Sequence, residues 1–137
     1  VGIVVGGGAS GASGGPATSR PADYAGFPYN IEFRSENVLV SEIEERRGVA
    51  YDVVLCLKLT KWVHLYWGDD GVKVLFRKIF KMLCPGGLLV LEAQDWSSYL
   101  PNKHLTAAAK QTKSEITLKP GNFTAYLVDD VGFAMPE

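Results

Sequence analysis

Val53 to Leu57 is an unbroken apolar run. It is too short for a helix and predicts a strand buried on both faces. From Asp69 onward the period changes. Val72, Leu75, Phe76, Ile79, Phe80 and Leu83 fall at i, i+3, i+4, i+7, i+8 and i+11, one stripe of an amphipathic helix. Lys73, Arg77, Lys78 and Lys81 occupy the opposite face and read as a solvated surface. Asp69 or Asp70 is placed to cap the helix start, where a carboxylate also suits the helix dipole. Pro85-Gly86-Gly87 should stop it. Leu88 to Glu92 repeats the apolar run and predicts a second buried strand. Strand, helix and strand with short joints make a βαβ unit with parallel strands.

The flanks are less regular. Asn30 to Arg34 alternates apolar and polar residues, the pattern of a half-buried strand. Ser41 to Gly48 is charged and suits a short helix or turn. Leu105 to Thr112 is expected to be helical, Ile116 to Leu118 a short strand, and Asn122 to Asp129 a helix. A further strand is expected after Phe133. Residues 6–26 are rich in Gly, Ala, Ser and Pro, and hold too little apolar surface to offset their ordering entropy. Residues 1–27 are therefore expected to form a flexible low-complexity segment, and residues 28–137 a partial α/β domain. Val1 to Gly8 superficially suggests a strand leading into a nucleotide loop. It lacks the helix that should follow, and no second strand with a ribose-binding carboxylate precedes Asn30. It reads instead as the tail of an insertion.

At 137 residues the chain is sized for one small domain. Its net charge of -1 leaves no global electrostatic footprint for nucleic acid, so an anionic ligand must be held by a local patch. Cys56 and Cys84 lie in apolar segments without metal-ligand spacing, which suggests buried free thiols. No metal site is expected. No apolar run approaches the ~20 residues of a membrane span, and no secretory signal is recognisable. A chain opening on Val rather than Met is expected to be a fragment.

In open α/β sheets ligands gather outside the carboxyl ends of strands. That rule points to Thr60, Lys61, Trp62 and His64, in a polar, aromatic and basic loop expected between the first strand and the helix, and to Trp96 after the second strand. Several aromatic and histidine positions have a plainer reading. His64 would also suit a packed, satisfied histidine, Trp62 a cover for the sheet edge, Trp67 the core, and His104 an exposed surface.

The stretch Leu57-x-Leu-Thr-Lys-Trp-Val-His-Leu-x-Trp-Gly-Asp-Asp-Gly71 resembles the signature of the bicoid-interacting family of RNA methyltransferases. The resemblance continues through Cys84 to Tyr99, then at Leu118-Lys-Pro120, Phe123, Tyr126-Leu127 and Asp130 to Phe133, covering roughly residues 28 to 133. It implies a Rossmann-like class I methyltransferase sheet, represented here by its C-terminal half. It also implies S-adenosylmethionine as methyl donor, and transfer to the 5′-terminal phosphate of a small non-coding RNA. By position it assigns Asn37, Val38 and Leu57 to the cofactor. Lys61 and His64 would be catalytic, and Thr60, Trp62, Gln94, Trp96 and Tyr99 would hold substrate. A nuclear setting and RNA-binding protein partners of the same ribonucleoprotein follow from it. Lys58, Tyr66, Ala93 and Asp95 depart from the family pattern. The last two replace prolines, leaving that loop less preorganised. The family's glycine-rich cofactor loop is missing. The alternative expectation is therefore a truncated, inactive member with residual RNA or protein binding.

Overall fold

The computed structural model describes residues 2–6, 31, 33–42, 51–99 and 105–135. Strand β1 (Gly2–Gly6) is followed by β2 (Tyr51–Leu57), helix α1 (Thr60–Met82) and β3 (Leu83–Glu92). A 3₁₀ turn (Trp96–Tyr99), helix α2 (Ala107–Glu115), a second 3₁₀ turn (Pro120–Asn122), the short helix α3 (Phe123–Tyr126) and a π turn (Leu127–Val131) complete the order. The architecture is mixed α/β, with a sheet of order β1-β3-β2.

The βαβ unit forms as the periodicity predicts. β2 and β3 are parallel, with Val53 opposite Leu88 and Leu57 opposite Glu92. Val72, Leu75, Phe76 and Ile79 carry the apolar stripe into the core, with Leu89, Leu91, Phe123 and Leu127. Phe76 and Phe123 meet edge-to-face at 5.2 Å between centroids, a geometry that adds ~1 kcal/mol beyond area burial. β3 begins five residues earlier than predicted. Tyr51 pairs with Leu83 and Val53 with Leu88, so Cys84 to Gly87 loop out opposite Asp52. Gly87 is required there: a Cβ would lie 2.9 Å from the Cys84 carbonyl and 3.1 Å from that of Tyr51.

Several expectations are corrected. The polar loop after β2 is helical. α1 starts at Thr60 and bends at Gly68 (φ 64°, ψ -162°), and the second segment begins at Asp69. That backbone region is essentially closed to other residues. Asp69 does not cap this segment; its carboxylate reaches Thr117, Leu118 and His64. β2 is not buried on both faces, since Val53, Leu55 and Leu57 are 50, 63 and 52% exposed. Among the described residues β2 is an edge strand with helices packed on one face. Ile31, Phe33 and Arg34 are not in a strand, and Phe33 is 93% exposed. Alternation makes a strand only where a neighbour accepts its ladder. Ile116 to Leu118 also fails to pair, because the Thr117 and Leu118 N–H groups go to Asp69. Trp67 is half exposed instead of core. Neither cysteine is in a disulfide; Cys56 is buried but Cys84 only half-buried, its Sγ donating to Asp52.

Gly2–Gly6, expected within the flexible segment, forms a strand. It pairs antiparallel with β3, placing Gly2 beside Glu92 and Gly6 beside Leu88. β1 thus ends beside the amino side of β3, away from the carboxyl ends of β2 and β3 where ligands gather in such sheets. The rest of residues 1–27, Ser41 to Gly48 beyond residue 42, and His104 lie outside the described residues. No helix among the described residues is long and apolar enough to cross a membrane. No group of three or more potential metal-ligating acids, histidines or cysteines occurs among them.

Candidate functional site

The carboxyl ends of β2 and β3 are tied together. The Lys58 N–H donates to the Glu92 carbonyl at 2.9 Å, and the two side chains form an exposed pair at 3.4 Å. Lys58 carries a positive φ of 57°, a conformation that costs a non-glycine residue roughly 1–2 kcal/mol. This turn sends the chain directly into the first segment of α1, which faces the turn after β3.

The two elements meet side chain by side chain. Lys61 Nζ donates to the Ser98 carbonyl at 2.7 Å and lies 5.7 and 5.8 Å from the Trp62 and Tyr99 ring centroids. Lys61, Trp62, Leu65, Tyr66, Ser98 and Tyr99, with Leu105, line a cleft of about 190 Å³. Behind it, Leu65, Tyr99 and Ile116 form a second apolar cluster with Trp96 and Leu105 packed on it. The Trp96 and Tyr99 rings pack at 4.8 Å between centroids with their planes tilted by 34°, and Lys119 Nζ sits 5.2 Å from the Trp96 centroid.

His64 is wholly buried beneath this cleft. Its Nε2 lies 2.9 Å from Asp69 Oδ1 and its Nδ1 3.3 Å from the Tyr99 hydroxyl. A carboxylate only accepts, so Nε2 carries the proton and Nδ1 accepts from Tyr99. Burial lowers the His64 pKa, only partly offset by the Asp69 hydrogen bond and charge. Burial likewise raises that of Tyr99. Both groups are neutral at pH 7, as that tautomer requires. For Asp69, burial pushes upward. The Thr117 hydroxyl, His64, and the Leu118 and Thr117 N–H groups together outweigh it and hold the carboxyl at about 2.

Of the sequence-derived candidates, the structure brings Lys61, Trp62, Trp96 and Tyr99 together. Thr60 stands at the same helix start but is fully buried, its hydroxyl unpaired among the described residues. Gln94 is half-buried and its Oε1 likewise lacks a partner there. Leu57 ends β2 with its side chain half exposed. Asn37 and Val38 lie in the 33–42 segment, where Val38 packs against the main core. Asn37 accepts from the Val40 and Ser41 N–H groups, and the Ser41 carbonyl accepts from Lys78 at 2.6 Å. Lys78 lies roughly 15 Å along α1 from Gly68 at 1.5 Å per residue. Asp69 and Lys119 were missed as site residues. The signal available for Lys119 was its place in the Leu118-Lys-Pro120 motif; for Asp69 nothing in the chain announced a contact 48 residues away.

The family profile described as Bicoid-interacting protein 3 (Bin3) matches residues 51–137, from β2 through both sides of this cleft. The chain belongs to the Bin3 family. Among Bin3 relatives it is 49% identical over 119 residues to the human 7SK snRNA methylphosphate capping enzyme, covering 85% of this chain and 17% of that protein. It is 39% identical over 126 residues to a probable RNA methyltransferase of Arabidopsis thaliana (91% and 39% covered). It is 40% identical over 112 residues to the U6 snRNA methylphosphate capping enzyme Amus of Drosophila melanogaster (80% and 37%). The chain thus spans well under half the length of these Bin3 relatives.

Proposed function

We propose that this chain forms the substrate-facing part of an S-adenosylmethionine-dependent RNA methyltransferase that acts on the 5′-terminal phosphate of a small RNA. The supporting observation is the cleft at the strand carboxyl ends, where one lysine lies among three aromatic side chains in a Bin3-family chain. A phosphate oxygen is already anionic, so transfer to it needs alignment rather than proton removal. Lys61 supplies a single point charge to place the phosphate. More cations would blunt the oxygen's nucleophilicity. Trp62, half exposed, and Trp96 offer faces for a base, each stack contributing about 1–3 kcal/mol. His64 has no exposed surface; its role in this reading is to hold Tyr99 through Nδ1. The RNA would be a small nuclear RNA, the setting the nucleus, and the partners proteins of the same particle.

The methyl donor is expected to be S-adenosylmethionine, and the complete enzyme a Rossmann-like sheet. The described residues do not fit the donor unaided. Among the described residues no glycine loop adjoins the carboxyl ends of β2 and β3. That mismatch supports a second reading, a catalytically inactive member that retains RNA binding. Calorimetric titration of this chain with S-adenosylmethionine separates the two: micromolar binding sinks the inactive reading, and no binding sinks catalysis by this chain alone. Lys61→Ala in a chain extended to the relatives' length should lower methyl transfer to 5′-phosphorylated RNA at least tenfold with donor affinity unchanged. Unaltered transfer removes Lys61 from the site.

A further inference from the structure

We propose that a basic groove beside the cleft binds the backbone of single-stranded RNA downstream of its terminal nucleotide. The inference rests on the RNA reading above and extends it to a second subsite. Trp96, Lys110, Lys113, Ser114, Ile116 and Lys119 line a depression of about 390 Å³. Three lysines from two elements converge there in a chain whose net charge is -1. Lys110 and Lys113 are three apart on α2 and share a face, while Lys119 follows the 116–118 segment. Among the described residues none of the three is in an ion pair. Glu115, the acid on the same helix, is held by Gln111 at 2.6 Å.

Two features distinguish this groove from an ordinary solvated helix face. The first is its aromatic wall: Lys119 lies 5.2 Å from the Trp96 centroid, so cation and π-face alternate. Phosphates and bases alternate in the same way along a single strand, and proteins that track such strands pair a basic groove with stacking rings. An acidic peptide would use the charges but not the ring. The second is proximity. Trp96 of the groove packs against Tyr99 of the cleft at 4.8 Å between centroids, and Tyr99 lies 5.8 Å from Lys61 Nζ, so one ring pair separates the groove from the terminal-phosphate cleft. The 116–119 segment is fixed in place by the Asp69 carboxylate.

The test is fluorescence polarisation of the full chain with a 3′-labelled tetranucleotide carrying either a 5′ phosphate or a 5′ hydroxyl, across a salt series. For the chain with Lys110, Lys113 and Lys119 all replaced by Ala, affinity for both oligonucleotides should fall at least tenfold. Its log–log salt slope should be shallower by about 2, from ~0.7 per phosphate contact. Replacing the three by Arg should keep affinity within twofold, and circular dichroism should match the parent. Unchanged affinity and slope in the Ala variant would overturn the groove, as would equal competition by polyglutamate or no binding by the parent chain. Loss of discrimination between 5′ phosphate and 5′ hydroxyl, with the lysine effect intact, would instead overturn the terminal-phosphate reading and leave the groove standing.

Discussion

Among the described residues Asp69 holds together the most polar partners, and its removal gives the sharpest test of the structure. Its carboxylate accepts from the Thr117 N–H at 3.0 Å, the Thr117 hydroxyl at 2.5 Å, the Leu118 N–H at 3.0 Å and His64 Nε2 at 2.9 Å. A carboxyl moved from 3.8 to about 2 corresponds to roughly 2 kcal/mol at 1.36 kcal/mol per pKa unit. Some solvent screening of this partly accessible side chain brings that to about 1–2 kcal/mol. Asp69→Asn, which keeps one acceptor oxygen, should cost about that much. Asp69→Ala also strands the buried His64 donor and two backbone donors, and should cost about 3 kcal/mol. Guanidinium unfolding followed by tryptophan fluorescence measures both. The folded pKa is depressed, so the contribution is fully present above 3.8 and disappears as pH falls toward 2. The gap between parent and Asp69→Asn should close over that window. A double-mutant cycle with Thr117→Val should show coupling of about 1 kcal/mol. An Asp69→Ala variant within 0.5 kcal/mol of the parent, or a gap that is independent of pH, would refute the clasp.

Gly71→Ala should destabilise by about 2 kcal/mol, because its Cβ meets Trp67 Cβ and approaches Val63 Cγ1 at 3.3 Å across the bend; an ordinary helix interior would gain ~1 kcal/mol from that change, so a raised melting temperature would count against the bend at Gly68. Lys58→Asn should stabilise by about 0.5 kcal/mol, since Asn tolerates φ near 57° and the exposed Lys58–Glu92 pair it removes contributes ~0–1 kcal/mol; chemical denaturation that shows a loss would contradict this. Cys84 should be alkylated by iodoacetamide in the folded protein while Cys56, 4% exposed and with its thiol pushed by burial to about 11, stays protected until denaturant is added; mass spectrometry showing early Cys56 labelling would imply local opening of β2.

Sequence reading succeeded where the signal was local and dense. The stripe from Val72 to Ile79 has one solution, a helix with that face inward, and the core contains it. The stretch 60–67 read as a loop because its aromatic and polar residues follow no single stripe. It is helical because two different surfaces bury it, the main core taking Val63 and the Tyr99 cluster taking Leu65. Lys61, Trp62, Trp96 and Tyr99 were legible as site candidates through the strand-end rule and the family signature. Their mutual arrangement was not legible, since Lys61 and Ser98 are 37 residues apart and joined by one hydrogen bond.

The chain by itself determined the βαβ unit, its apolar face and its family, because periodicity and motif spacing are properties of neighbours along the backbone. Tertiary structure alone decided that, among the described residues, helices pack on only one face of β2, that Asp69 clasps Thr117 and Leu118 rather than capping its helix, and that three lysines meet beside Trp96. Those outcomes depend on which distant groups compete for the same donor, face or space. A carboxylate offered two backbone N–H groups, a hydroxyl and an imidazole is better satisfied there than at a helix start.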